Sequence, residues 1–177
     1  PKDLRQFVCV AGSFSKTFAM TGWRIGYTIA NEEWTRAMTK LQSHSASHPT
    51  SFVQYACARA LQDSQASMTA VGSMLAEYER RRDWLIPQLN AIRGFKCAMP
   101  EGAFYAFVDV REMLGDEFKT SADVADKMLS ECQIVATDGK PFGAEGFIRL
   151  SYATSMQNLE NAIERLRNLF GTSSMSA

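Results

Sequence analysis

The apolar positions of this chain change rhythm several times. The first run, 7-FVCV-10, is short and unbroken, and the small residues Ala11, Gly12 and Ser13 end it, which predicts a buried strand over residues 6–10. A second run, 24-RIGYTIA-30, predicts another strand. The spacing then becomes helical, with Trp34, Met38 and Leu41 on one face of residues 32–41. After the polar loop 43-SHSASHPTS-51, a helix is predicted over 52–61, capped by Thr50 or Ser51. The longest pattern covers 65–92, where Met68, Val71, Leu75, Tyr78, Trp84, Leu85 and Leu89 are apolar and 79-ERRRD-83 is exposed. Pro87 inside it lacks a backbone donor and crowds the preceding turn, so a kink is expected there.

Past Gly94 the pattern turns to strands, at 95–97 and 103–110. A helix is predicted over 121–132 with Thr120 or Ser121 as its cap. A strand over 134–136, the loop 137-TDGKPFGAEG-146 and a strand over 147–152 follow. The closing helix, 156–170, places Leu159, Ile163, Leu166 and Phe170 on one stripe, and Thr154 with Gln157 suits a capping box. No internal repeat is visible, and the tail 172-TSSMSA-177 is expected to lack fixed structure.

Composition narrows the class. Of 177 residues, 46% are hydrophobic and 21% charged, the balance of an ordinary globular protein. Nineteen Lys and Arg against nineteen Asp and Glu leave no net charge, and hence no broad basic field for nucleic acid or an anionic membrane. No apolar run approaches the roughly 20 residues of a membrane span. Cys9, Cys57, Cys97 and Cys132 are widely spaced with no CxxC pair, which suits reduced thiols in a cytoplasmic protein. The chain opens at Pro1, without Met, and runs almost at once into its first apolar segment; it is expected to be the later part of a longer protein.

The candidate chemistry begins in 13-SFSKTFAMTGWRIGY-27. Lys16 and Arg24 stand there with no acidic residue between Phe7 and Asn31, so their counter-ion is expected to come from outside the chain. Alone, a lysine in a serine-rich turn is a solvated surface residue. Arg24, between Trp23 and Ile25, is expected to be buried, and a buried guanidinium needs an anion. Ser13 and Ser15 add hydroxyl donors, and the turn adds backbone N–H groups, which together form a phosphate cradle. A phosphate-bearing cofactor whose aldehyde bonds a lysine is pyridoxal phosphate.

The run from Ser13 to Gly26 resembles, position for position, the pyridoxal-phosphate attachment signature of class I aminotransferases, the fold type I family typified by aspartate aminotransferase. The resemblance implies that Lys16 carries the cofactor and moves protons, and that Ser13 and Arg24, with Ser15, bind its phosphate. The segment 148-IRLSYATS-155 is similar to the family's C-terminal substrate motif, in which the residue matching Arg149 grips the α-carboxylate in a two-pronged salt bridge. Taken by itself, Arg149 could equally be a strand residue paired to a nearby glutamate. The segment 100-PEGAFY-105 resembles the start of a small-domain strand, and 42-QSHSASHPTS-51 resembles the bacterial aspartate-type subgroup, whose loop approaches the neighbouring subunit's cofactor. His44 and His48 are four apart, but Pro49 and the serines oppose a helix and no third ligand accompanies them, so no metal site is expected.

The implied fold is α/β: the end of the mostly parallel sheet of the large domain over residues 1–80, with the start of the connecting helix, then a small α+β domain over 81–177. The implied activity is transamination between an amino acid, aspartate first, and a 2-oxo acid, in a cytoplasmic homodimer. Aromatic or kynurenine aminotransferases and β-lyases would keep the same three cationic residues, and a transcription regulator with an aminotransferase-like domain is a further alternative. In the family, the residues that hold the pyridine nitrogen and phenolic oxygen, and a glycine-rich phosphate loop, precede the lysine. None of them falls in this chain, so the chain alone is expected to be inactive. Thr137-Asp138-Gly139 replaces a common Pro-Gly turn and departs from the family pattern at the substrate-entrance loop.

Overall fold

The computed structural model describes residues 2–172. The chain divides into two compact units, residues 1–74 and 75–177. The division falls inside one helix.

In the first unit, Lys2–Phe7 forms a 3-10 helix where a strand was expected, and strand β1 begins later, at Val10–Ser13. β1 pairs antiparallel with β2, Gly26–Ile29, in the register Val10 to Ile29 and Ser13 to Gly26. No parallel pair occurs among the described strands, so the expected parallel sheet contributes only this antiparallel ladder here. Gly26 is required within it: a Cβ there would lie 2.7 Å from the Gly12 carbonyl oxygen. Helix α1, Glu32–Ser45, runs four residues further than its apolar stripe. The Asn31 side chain caps it, accepting from the Trp34 N–H at 2.9 Å while its amide donates to the Gln6 carbonyl at 2.7 Å. Helix α2, Ser51–Gln62, has Thr50 at its cap position without a side-chain capping bond. Phe14, Val53 and Cys57 form a small core, with Phe18, Met20 and Ile25 against it.

Helix α3, Ser64–Asn90, continues through Pro87 and carries the chain across the division. The second unit is a four-stranded antiparallel sheet in the order β3-β4-β6-β5. Its strands are Lys96–Cys97, Tyr105–Asp109, Phe147–Ser151 (β6) and, as β5, Thr137–Asp138. β5 lies just beyond the expected strand at 134–136, because pairing with β6 starts at Thr137, opposite Arg149. Alternation fixes the buried face. Ala106 and Val108 of β4 stand opposite Leu150 and Ile148 of β6, and all four are buried. Helices α4, Ser121–Cys132, and α5, Met156–Phe170, supply Val124, Met128, Leu159, Ile163 and Leu166 to the same core, joined by Leu85, Ile86 and Leu89 from α3.

The caps of these helices are specific. Thr120 makes a capping box with Asp123. At α5 the expected Thr154–Gln157 box is replaced by Ser155, whose hydroxyl accepts from the Asn158 N–H at 3.2 Å; Thr154 instead receives the Asn158 side-chain amide. Thr172 of the expected unstructured tail forms a bridge with Ile92, and residues 173–177 lie outside the described residues. Among the described residues, no helix is long and apolar enough to cross a membrane.

Candidate functional site

The first unit places the motif residues at one end of a short ladder. β1 ends at Ser13, directly opposite Gly26, so the turn after Ser13 and the segment before Gly26 emerge from the same end. Phe14 fastens the turn: it is buried, and its ring lies 5.3 Å from Phe18 and 5.5 Å from Tyr27. The turn closes through hydrogen bonds from Phe18 N–H to the Phe14 carbonyl and from Ala19 N–H to the Lys16 carbonyl, and Ala19 takes a left-handed φ of 54°. Lys16 lies on the exposed side of this turn.

Ser13 and Ser15 are coupled, because the Ser15 N–H donates to the Ser13 hydroxyl oxygen at 3.1 Å. That leaves the Ser13 hydroxyl hydrogen available to donate. Arg24 differs from its expected burial: it is exposed. It precedes the strand, which begins at Gly26, so the strand's alternation does not govern it. Its backbone is left-handed, with φ 53° and ψ 54°, a conformation that costs a side-chain-bearing residue on the order of 1 kcal/mol or more and recurs at functional sites. One guanidinium nitrogen donates to the Thr21 carbonyl at 2.8 Å, which fixes the side chain locally. Among the described residues no carboxylate pairs with Arg24. Two hydroxyls, a guanidinium and an ammonium, with no acidic side chain from residue 8 to 31, make a donor-rich, acid-free set. Such a set fits a dianionic phosphate, and thus the phosphate of pyridoxal phosphate.

The second unit places Arg149 at the middle of β6, on the face turned away from the helices. Among the described residues it pairs with no glutamate. Its guanidinium carbon lies 4.4 Å from the centre of the Tyr105 ring and 4.6 Å from that of Phe142, so two aromatic faces hold it. A planar guanidinium carries its N–H donors in its own plane, so contact with ring faces is compatible with two-pronged recognition of a carboxylate. Phe107, opposite Arg149 in the ladder, stacks on Phe147 at 5.1 Å and 12°, extending the aromatic surface along the sheet.

Tyr105 and Phe142 escaped the sequence reading. Tyr105 carries a strand-period signal that points it to the same face as Phe107, but nothing local says which strand will lie beside it. Phe142 sits in a glycine-rich connection, Gly139 to Gly146, whose shape depends on Gly143 at φ 78° and Gly146 at φ 84°. His44 lies on α1, while His48 lies beyond its end with Nδ1 2.8 Å from the Pro49 carbonyl oxygen. Among the described residues, no group of three His, Cys, Asp or Glu side chains is placed to hold a metal.

Comparison with known proteins agrees on one family. The model of the aminotransferase class I and II family matches residues 2–166. The aspartate/prephenate aminotransferase of Nitrosomonas europaea is 40% identical over 174 residues, covering 94% of this chain and 43% of that protein. Among solved structures, the aspartate aminotransferase of Rhizobium meliloti superposes with a TM-score of 0.85 at 35% identity over 98% of this chain and 44% of that one. The aromatic aminotransferase of Pyrococcus horikoshii gives 0.83 at 39% identity over 93% and 43%. The chain thus spans less than half the length of the relatives it matches.

Proposed function

Because the chain belongs to the class I and II aminotransferases, whose cofactor is pyridoxal phosphate, we propose that the enzyme it forms part of moves an amino group between an amino acid and a 2-oxo acid, with aspartate as the first donor to test. The observation that carries this reading is the donor-rich, acid-free turn at Ser13, Ser15, Lys16 and Arg24, in which Arg24 is locally fixed yet has no carboxylate partner among the described residues. Pyridoxal phosphate supplies an aldehyde that bonds amines and a ring that withdraws electrons. Ser13, Ser15 and Arg24 would hold its phosphate. Lys16 Nζ would hold the cofactor covalently, and its amine would move the proton at the substrate α-carbon. Arg149 binds the α-carboxylate along its open edge, and the rings of Tyr105 and Phe142 keep the guanidinium plane fixed, so that the C–H bond is presented in one orientation. A homodimer and a cytoplasmic location belong to the same proposal; they rest on the family resemblance and on four cysteines that are free.

Aromatic donors are the second reading. They are favoured by the likeness to an aromatic aminotransferase and by the exposed ring surface of Phe107 and Phe147 beside Arg149. Purified intact enzyme assayed with aspartate and with phenylalanine, each against 2-oxoglutarate, decides between them. Absence of transamination with every amino acid, in a preparation that retains cofactor, would overturn the proposed activity.

A further inference from the structure

The connection from β5 to β6 carries Phe142 over the Arg149 guanidinium, and its two ends meet a single buried hydroxyl. Ser121, the first residue of α4, is fully buried. Its oxygen lies 2.7 Å from Asp138 Oδ1, at the start of the connection, and 3.0 Å from Glu145 Oε1, near its end. The Ser121 N–H also donates to Glu145 Oε1 at 3.1 Å, and the Gly146 N–H donates to the Ser121 oxygen at 3.0 Å. The hydroxyl has one hydrogen, which serves either carboxylate but not both at once, and Asp138 is the shorter contact; Glu145 keeps the Ser121 backbone N–H in either case, and the Gly146 N–H donates to a lone pair of the oxygen. The Ser121 N–H is the first cause holding Glu145 below the usual carboxylate range, against the opposing charge of Asp138.

We propose that Ser121 is a positioning residue: it straps both ends of the Asp138–Gly146 connection to the start of α4 and thereby sets the stacking of Phe142 on Arg149, and with it the affinity for the substrate carboxylate. The second half rests on Arg149 being the carboxylate anchor. The connection's other hydrogen bonds start from backbone N–H groups. Gly139 N–H donates to the Phe147 carbonyl at 2.7 Å, Ala144 N–H to the Gly139 carbonyl at 3.1 Å, and the Gly146 carbonyl accepts from Val110 N–H at 2.8 Å. Within the turn, Phe142 N–H donates to the Gly139 carbonyl at 2.8 Å, Gly143 N–H to the Lys140 carbonyl at 2.9 Å and Lys140 N–H to Asp138 Oδ1 at 3.3 Å, so these bonds close the hairpin without tying the Asp138 or Glu145 side chain to α4. Removing the Ser121 hydroxyl therefore frees the connection sideways without opening the sheet. Lys140 and Phe142 at the tip are both exposed, in the short 3-10 turn Lys140–Phe142.

The test uses the intact, cofactor-loaded protein with isotopically labelled arginine, the Arg149 signals being assigned by their loss in Arg149→Lys. Ser121→Ala is expected to move the Arg149 side-chain resonances out of the ring-current positions and to weaken maleate, a non-reacting dicarboxylate, about tenfold, the scale of one charge-supported contact. Because a buried site can fail to fold when altered, Glu145→Ala at an exposed position is made in parallel. It is expected to shift the same signals in the same direction, and Glu145→Gln, which keeps an acceptor for the Ser121 N–H, restores them. Arg149 resonances unchanged in both Ser121→Ala and Glu145→Ala overturn the strap, whatever Arg149 binds. Shifted resonances with unchanged maleate affinity overturn its effect on the substrate. Failure of the anchor reading shows separately, as an Arg149→Leu enzyme that binds maleate normally.

Discussion

The two units hold their arginines in opposite ways. Arg24 stands in a turn near a core of three buried residues, is exposed, and is fixed by a bond to a carbonyl three positions earlier. Arg149 stands at the centre of a sheet over a core of twenty buried residues, and rings from positions 44 earlier and 7 earlier enclose it. A local hold needs only a contiguous sequence, and it leaves the guanidinium open to a ligand that itself supplies the missing partner. A tertiary hold needs the whole unit folded, and in return sets the orientation of the fork before any ligand arrives. A phosphate, charged and nearly symmetric, suits the first arrangement; a carboxylate that must present one C–H bond suits the second.

Removal of the lysine should give the largest effect. Lys16→Ala is expected to lower turnover by at least about 10³-fold, since covalent link and proton carrier are lost together. Borohydride reduction of the cofactor-loaded enzyme followed by peptide mapping tests the same point. Cofactor fixed to another lysine sinks the assignment.

The arginines themselves come next. Charged hydrogen bonds are worth roughly 1.5–3 kcal/mol each, so losing a two-pronged contact in Arg149→Leu should cut kcat/KM by about 10² or more for all amino-acid donors, with cofactor retained. Arg24→Leu should do the reverse, releasing cofactor on dialysis while saturating cofactor restores much of the rate. If both variants lose cofactor equally, the contrast between the two holds is wrong.

That contrast also explains what could be read from the sequence. The turn from Ser13 to Arg24 was legible because its donors are contiguous and lack acids, although the burial expected of Arg24 was not found. Helices α4 and α5 have the bounds their apolar stripes predict, 121–132 and 156–170. The first strand did not fall at 6–10, because strand limits follow pairing, and the partner Gly26–Ile29 reaches only Val10–Ser13. The rings beside Arg149 and the Ser121 hydroxyl beneath its loop come from positions 105, 142 and 121, which no periodicity joins. They become neighbours only through the order β3-β4-β6-β5.

Core truncation probes the two units directly. Leu89, 1% exposed in the second unit, should cost about 2–5 kcal/mol on change to Ala. Val53, 3% exposed in the first, loses two carbons on change to Ala and should cost about 1.5 kcal/mol at ~0.8 kcal/mol per buried group. Urea unfolding midpoints of the intact protein measure both. A Val53→Ala loss as large as that of Leu89→Ala would show that the small core is coupled to more structure than its own few residues.

The smallest effect separates the units by pH. The capping bonds of α1 come from Asn31, which does not titrate, whereas the capping box of α4 includes a carboxylate, Asp123. Asp123 Oδ2 accepts from the N–H groups of Thr120 and Lys119, each at 2.8 Å, and these bonds, Thr120 first, lower its pKa below the ordinary 3.8. With the folded value below the unfolded one, the unfolded chain binds the proton more readily. The contribution is therefore complete above pH 3.8 and is lost as pH falls through the folded value. Asp123→Asn keeps an oxygen acceptor but cannot titrate, so its deficit in Tm should be constant near neutrality and close on acidification below pH 3.8. Asn31→Ala, tested beside it, should show a deficit with no such closure, because neither state of that side chain takes up a proton. A pH-independent gap for Asp123→Asn would mean that the capping box acts through its geometry alone and that the carboxylate charge at the start of α4 adds nothing.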